Sequence, residues 1–287
     1  MAKYVFWRQS MKKRKWSVFS FPSDIGYKEL IKFAKDIGLD AIEPYQTAEL
    51  AGNDPDKADL VLKMAKENSL DISCYSIRAD LVGENYASEM ERVKSCMRTA
   101  KRLGSKYFHH TIAPDLGCEM PDFDEVFSKC FDRVKELCLY ADSLGMTDLF
   151  EDQGLVFNGK KNFTKFVNAL ESEGIPFGIV LDAGNSAFVN EDAADMLSEL
   201  SERIVHVHVK DYLIKTQPFE TGRCYKTIHG TYMQDIRMGL GDINLDKVFS
   251  LMDKAGYNGY FSLEYCGDEG LEGIKASLET LKARYEK

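Results

Sequence analysis

No stretch of this 287-residue chain approaches the roughly 20 consecutive apolar residues that cross a bilayer, so no membrane association is expected. The opening MAKYVFWRQSMKKRKW is basic, but neither an apolar segment nor a small-residue cleavage site follows it, which argues against secretion. The cysteines Cys74, Cys96, Cys118, Cys130, Cys138, Cys224 and Cys266 are odd in number, widely spaced and without a CxxC pair. That pattern argues against a disulfide scaffold or thiolate zinc site and suggests a reducing cytoplasm. A basic surplus is also missing: 37 Lys and Arg stand against 46 Asp and Glu, for a net charge of −9. Nucleic acid is therefore a poor partner, because its phosphates must be met by a basic surface. The one basic cluster, Lys12, Lys13, Arg14 and Lys15, reads as a solvated lead-in (residues 1–15) to the first strand. No GxGxxG follows that strand, which removes the usual sign of a dinucleotide site. With no linker or low-complexity stretch, residues 1–287 are expected to form one domain.

What the chain does have is a repeated grammar. A helical pattern ends in glycine and a short β-type run begins two or three residues later, as in IKFAKDIG before LDAIEPY and TAKRLG before SKYFHHTI. LYADSLG precedes MTDLFEDQ, ALESEG precedes IPFGIVLDAGN, and LMDKAG precedes YNGYFSLEY. Gly38, Gly104, Gly145, Gly174 and Gly256 are expected as the left-handed residues that close these helices. KMAKENS before LDISCYSI and LSELSE before RIVHVHVKD are further units with other stops. In one helix Phe127, Cys130, Phe131, Val134, Leu137, Cys138, Ala141 and Leu144 share a face at three- and four-residue steps. With KWSVFSFP as an opening strand and GIKASLETLKARYEK as the closing helix, eight strand–helix units result. Alternating strands and helices require parallel pairing through right-handed crossovers. Eight units at this length predict an α/β fold, a closed (β/α)8 TIM barrel, rather than an open doubly wound sheet.

Barrel active sites are built at the C-terminal ends of the strands, and there the ionisable residues gather. The second strand ends at Glu43, the fourth at His109 and His110, and the fifth at Glu151 and Asp152. Asp182 ends the sixth; His206, His208, Lys210 and Asp211 lie along the seventh; Glu264 ends the eighth. Glu151, Asp182, one histidine of VHVHVKD and Glu264 are expected to converge on the barrel axis. Three carboxylates at one point repel and drive pKa values up, a penalty that a divalent cation removes. An O,O,N,O donor set suits one manganese foremost, or magnesium, cobalt or zinc. His206 and His208 share a face because the strand period is two. His208 lies nearer the mouth and is the expected ligand, with His206 one layer deeper as a hydrogen-bonded core residue. Of the adjacent His109 and His110 only one can face inward, and His110, the later, is expected to line the pocket.

The sequence resembles the xylose-isomerase-like TIM-barrel superfamily, which includes ketose 3-epimerases, hydroxypyruvate isomerases, inosose dehydratases and endonuclease IV. The resemblance spans essentially the whole chain and rests on GLDAIEPY, LFED, LDAGN, HVHVKD, GLGDIN and YFSLEY in that order. It implies metal ligation by Glu151, Asp182, His208 and Glu264. It further implies that the cation polarises the carbonyl of an open-chain sugar or polyol while Glu151 and Glu264 act as the acid–base pair on opposite faces of the substrate carbon. Glu43 resembles a strand-two glutamate that touches substrate or orients a neighbour, and Lys210 and Asp211 match an HxKD motif at the pocket. Gly239 and Gly241 of GLGDIN are expected to form a turn that closes over the site, not a phosphate loop.

The chain departs from the ketose epimerases in two places. Asn185 stands where many of them carry a sugar-binding histidine. In place of an arginine shortly after the strand-seven histidine the chain offers Lys215, with Arg223 and Arg237 further on. Residues 212–238 are expected as a long loop that covers substrate or meets a partner subunit. Homo-oligomers are usual in the group the chain resembles. The functional expectation is a metal-dependent sugar isomerase or epimerase, with a lyase of the same chemistry as its rival. Five histidines and the acidic balance tell against a multi-zinc nuclease. Four retained ligands tell against a non-catalytic barrel used as a binding or scaffold subunit.

Overall fold

A computed structural model describes residues 13–19, 25–46, 49–113 and 121–286. Residues 1–12, which include Lys12 and most of the expected lead-in, and Cys118 lie outside the described residues. The first half of the chain runs β1 (Lys15–Val18), α1 (Tyr27–Asp36), β2 (Ala41–Ile42), α2 (Pro55–Glu67), β3 (Asp71–Ile72), β4 (Tyr75–Ile77), α3 (Tyr86–Arg102), β5 (Tyr107–His110) and α4 (Phe123–Ser143). It continues through β6 (Thr147–Glu151), α5 (Lys160–Ser172), β7 (Gly178–Asp182), α6 (Ala193–Leu197) and β8 (Ile204–Val209). Then come β9 (Tyr212–Lys215), β10 (Tyr225–Lys226), β11 (Tyr232–Asp235), α7 (Leu245–Lys254), β12 (Tyr260–Leu263) and α8 (Gly270–Tyr285).

Seven strands pair in the parallel order β1-β12-β8-β7-β6-β5-β4. β2 closes the circle. The Asp40 N–H donates to the Trp16 carbonyl at 2.9 Å and the Glu43 N–H to the Val18 carbonyl at 2.8 Å. On its other side β2 pairs with β3, which continues into β4. The fold is a TIM barrel, as the strand–helix grammar predicts.

The helix ends follow the sequence signals. Gly38, Gly104, Gly145, Gly174 and Gly256 all have positive φ, and Ser69 takes the same conformation after α2. The Asp122 side chain caps α4 by accepting from the Glu125 N–H at 2.9 Å. α4 turns Cys130, Val134, Leu137, Cys138 and Ala141 inward, with Phe127 and Phe131 packed at the margin. The main core lies between the sheet and the helices, where Phe150, Phe163 and Phe166 are fully enclosed. Burying each such ring stabilises the fold by about 1.5–3 kcal/mol. A smaller cluster of Cys74, Leu149 and Val180 is separate from it. Residues 212–238 differ from the expected loop: β9, β11 and β10 form a three-stranded antiparallel sheet.

Candidate metal centre

The ends of β6, β7, β8 and β12 bring Glu151, Asp182, His208 and Glu264 together, with one ligand atom from each within 4.8 Å of all the others. Strand register explains the meeting. Asp182 pairs with His208, and His208 with Ser262, two residues before Glu264. His208 Nδ1 lies 2.6 Å from Glu151 Oε1, 3.6 Å from Glu264 Oε2 and 4.0 Å from Asp182 Oδ2. Asp182 is aimed by its own backbone: Oδ1 accepts from the N–H groups of Gly184 (2.8 Å) and Asn185 (2.7 Å), which turns Oδ2 into the cluster. Lys210 Nζ reaches Asp182 Oδ2 at 3.0 Å, Glu264 Oε1 at 2.8 Å and Asn185 Oδ1 at 3.2 Å. Its stem lies against Gly184, where a Cβ would stand 2.7 Å from Lys210 Cγ. A larger residue at Gly184 would crowd both Lys210 and the Tyr212 ring.

Glu43 sits beneath this group, fully buried. Its Oε1 accepts from Ser76 Oγ at 2.6 Å and faces His208 Nε2 at 3.0 Å, while Oε2 faces His206 Nε2 at 2.7 Å. His206 is thus the deeper hydrogen-bonded residue of the pair. Burial pushes the Glu43 carboxyl up, but the two imidazoles outweigh it and hold it well below its ordinary range. For His208 burial pushes downward, and Glu43 and Glu151 together raise it well above the usual imidazole value. Burial pushes Glu264 up to about 7, with Asp182 and Glu151 adding to the rise and Lys210 and His208 opposing it. Burial, then the neighbouring Asp182 and Glu151, carries Asp152 well above the carboxylate range.

These residues fit a divalent cation on the chemistry of the donor set. Three carboxylates and one imidazole nitrogen converge, and the imidazole's other nitrogen already faces a carboxylate. Metal-ligating histidines are held in that way, with the far N–H donated to a carboxylate that fixes the tautomer. A cation would draw on His208 Nδ1 and Glu151 Oε1, which now face each other at 2.6 Å.

Two expected pocket residues are elsewhere. His110 turns away from the axis: Nε2 meets Asp148 Oδ2 at 3.2 Å and Nδ1 donates to the Thr111 carbonyl at 2.9 Å. His109 is the inward one, 3.8 Å from Glu151 Oε2 and edge-on to the His208 ring at 5.5 Å. The alternation of β5 allows one of the two to face the axis, and the earlier residue takes that place. Asp211 does not face the cluster either. Its Oδ2 accepts from the N–H groups of Gly239 and Gly241 at 2.8 and 2.9 Å, and Oδ1 from Tyr212 and Ile243 at 2.9 and 3.1 Å. It fastens the GLGDIN turn, and a Cβ on Gly241 would collide with it at 2.2 Å. Asn185 and Lys210 lie at the edge of the cluster. Arg237 is committed to Glu269, Lys215 lies over Phe219 and Arg223 over Tyr225. Phe19, which carries no sequence signal for a site, stacks on His208 with centroids 4.7 Å apart.

Comparison with known proteins agrees with the architecture. An inosose dehydratase of Clostridium perfringens is 22% identical over 251 residues, spanning 81% of this chain and 82% of that protein. Among solved structures, the 3-keto-D-glucoside 4-epimerase of E. coli superposes with a TM-score of 0.71 at 15% identity, over 94% of this chain and all (100%) of the other. The IOLI protein, solved with a binding zinc atom, superposes with a TM-score of 0.74 at 18% identity, over 94% and 99% of the two chains. The profile of one family, described as xylose isomerase-like TIM barrel, matches residues 31–284. The chain belongs to that xylose isomerase-like TIM-barrel family.

Proposed function

We propose that the protein is a divalent-cation-dependent sugar isomerase or epimerase that removes a proton from the carbon beside a carbonyl and returns it. The observation that carries this reading is the convergence of Glu151, Asp182, His208 and Glu264 with His208 fixed from behind by Glu43. Those four residues would hold the cation, manganese foremost, with magnesium, cobalt or zinc as alternatives. When bound it supplies Lewis-acid polarisation of the substrate carbonyl and stabilises the negative charge left by proton loss.

The protein's own groups supply the rest. Glu264, at the end of β12 and at the edge of the cluster, is the group proposed to remove the proton. Glu151, enclosed between His109 and His208, is the second proton-transfer group. Lys210, held by Asn185, would fix the direction of Glu264, and both residues would hydrogen-bond substrate oxygens. A sugar or polyol ketone without a phosphate suits a mouth in which carboxylates predominate.

A lyase is the second reading, favoured by the inosose dehydratase among the relatives and by the Lys210 ammonium 2.8 Å from Glu264. There the same proton leaves, a neighbouring hydroxyl departs with it as water, and an enone remains. Incubation of the manganese-loaded protein with ketoses and inososes in D2O separates the two. Isomerisation or epimerisation returns a product of the substrate's composition carrying solvent deuterium, whereas dehydration gives a lighter, ultraviolet-absorbing product. Glu264→Gln is expected to lower either rate by about 10²–10⁴-fold at manganese concentrations that saturate the variant, with the fold retained. Full activity in that variant, or no exchange by the loaded wild-type protein with any such substrate, would overturn the proposal.

A further inference from the structure

Ser76, the middle residue of β4, joins two buried groups beside the candidate cation ligands. It is itself fully buried, and its strand partner on β5 is His109. The hydroxyl lies 2.6 Å from Glu43 Oε1 and 3.2 Å from His109 Nδ1. Cys74 Sγ, 3.8 Å away, is a weak third neighbour.

A hydroxyl has one hydrogen to give, and an ionised carboxylate can only accept. Glu43 is surrounded by that hydroxyl and by the imidazoles of His206 and His208, the setting of an ionised carboxylate. The Ser76 hydrogen therefore goes to Glu43, and toward His109 the serine oxygen is an acceptor. The 3.2 Å contact is then an N–H of His109 donated to Ser76. The far side of the ring agrees. His109 Nε2 has no hydrogen-bond partner and stands 3.8 Å from Glu151 Oε2, beyond hydrogen-bond range. The other oxygen of the same carboxylate lies 2.6 Å from His208 Nδ1. An N–H on His109 Nε2 would be left unspent beside a carboxylate oxygen, whereas two acceptors stand apart.

We infer that Ser76 is a positioning residue, which fixes His109 as the tautomer protonated on Nδ1 and keeps a bare, accepting Nε2 facing Glu151. Its part in the chemistry rests on the proposed function. When Glu151 holds a proton taken from the substrate carbon, its Oε2 hydroxyl has an acceptor inside the site in His109 Nε2. In the opposite tautomer an N–H would meet that hydroxyl, donor against donor.

A long-range proton–nitrogen correlation spectrum of protein carrying nitrogen-15-labelled histidine reads the tautomer, because protonated and bare ring nitrogens resonate far apart. Spectra are recorded at neutral pH after chelation and again with saturating magnesium, a diamagnetic cation. His109, identified by the signals lost in His109→Gln, is expected to show a protonated Nδ1 and an Nε2 without hydrogen in both. Ser76→Ala removes the acceptor from Nδ1 and should make the Nε2-protonated tautomer the major one. Ser76→Thr keeps the hydroxyl and should keep the wild-type pattern. Hydrogen on Nε2 of the wild type, alone or together with Nδ1, would overturn the inference even if neither variant folds. A folded Ser76→Ala with an unchanged tautomer would overturn it too. These spectra need no substrate, so failure of the proposed function would show separately, as absent deuterium exchange. With a substrate that is turned over at saturating manganese, Ser76→Ala should lower kcat about tenfold with KM unchanged. A raised KM at full kcat would overturn the role at Glu151.

Discussion

Glu43 shows how a single side chain sets the chemistry of its neighbours. Its two oxygens serve three partners, Ser76, His206 and His208. A glutamine has one acceptor oxygen and a donor in place of the other, so at least one imidazole loses its acceptor. Glu43→Gln is therefore expected to weaken divalent-cation affinity by about 10–100-fold while leaving all four ligands in place. Competition against a fluorescent chelator measures this, and unchanged affinity would show that Glu43 does not orient His208. The convergence of Glu151, Asp182 and Glu264 was legible in the sequence because each closes a strand at the mouth of the barrel, where a carboxylate costs least. The direction of His109 and His110 was not, because adjacent residues on a short strand give no parity until the strand's register is known. Asp211 differs for a related reason: as part of the HxKD motif beside Lys210 it was expected at the pocket, and only the fold brings four backbone N–H groups to it.

The outward faces of β5 and β6 carry a polar pair inside an apolar layer. His110 lies edge-on to Phe150 and tilted against Phe108, and both of its ring nitrogens face acceptors, Asp148 and the Thr111 carbonyl. Burial pushes this imidazole down, but Asp148 and the Thr111 carbonyl outweigh it, and the net direction is upward. A histidine raised above its unfolded value stabilises the fold fully below that value, about 6.5, and the contribution is lost as pH rises through the folded value. Asp148→Asn should thus cost about 1–3 kcal/mol in acid, with the difference from wild type shrinking as pH rises. Urea unfolding at a series of pH values tests this, and a difference that grows with pH would refute the pairing. Among elements, the glycine-stopped helices were legible because the left-handed stop is a local property. The β9–β11 sheet was not. Its strands YLIK, YK and YMQD are too short for a period to emerge, and pairing across 212–235 is decided by tertiary contact.

Closing the barrel forces an electrostatic problem that local sequence does not contain. Glu43, Glu151, Asp152 and Asp182 are buried near one another, with Glu264 at their edge. Lys210 and the imidazoles of His206 and His208 face that group. A folded state that concentrates carboxylates is stabilised by any cation binding there and not to the unfolded chain. The stabilisation follows RT ln(1 + [L]/Kd), about 2.7 kcal/mol at a hundredfold excess over Kd. Because the ligands must be deprotonated, cation affinity falls as the solution is acidified. Manganese added to chelator-treated protein is accordingly expected to raise the melting temperature at neutral pH and to raise it less in acid. Asp182→Asn/His208→Ala should abolish the increment and bind no stoichiometric metal on elemental analysis. An equal increment in the double variant would place the cation elsewhere, and no increment in the wild type would leave the four ligands as a salt-bridge network built around Lys210.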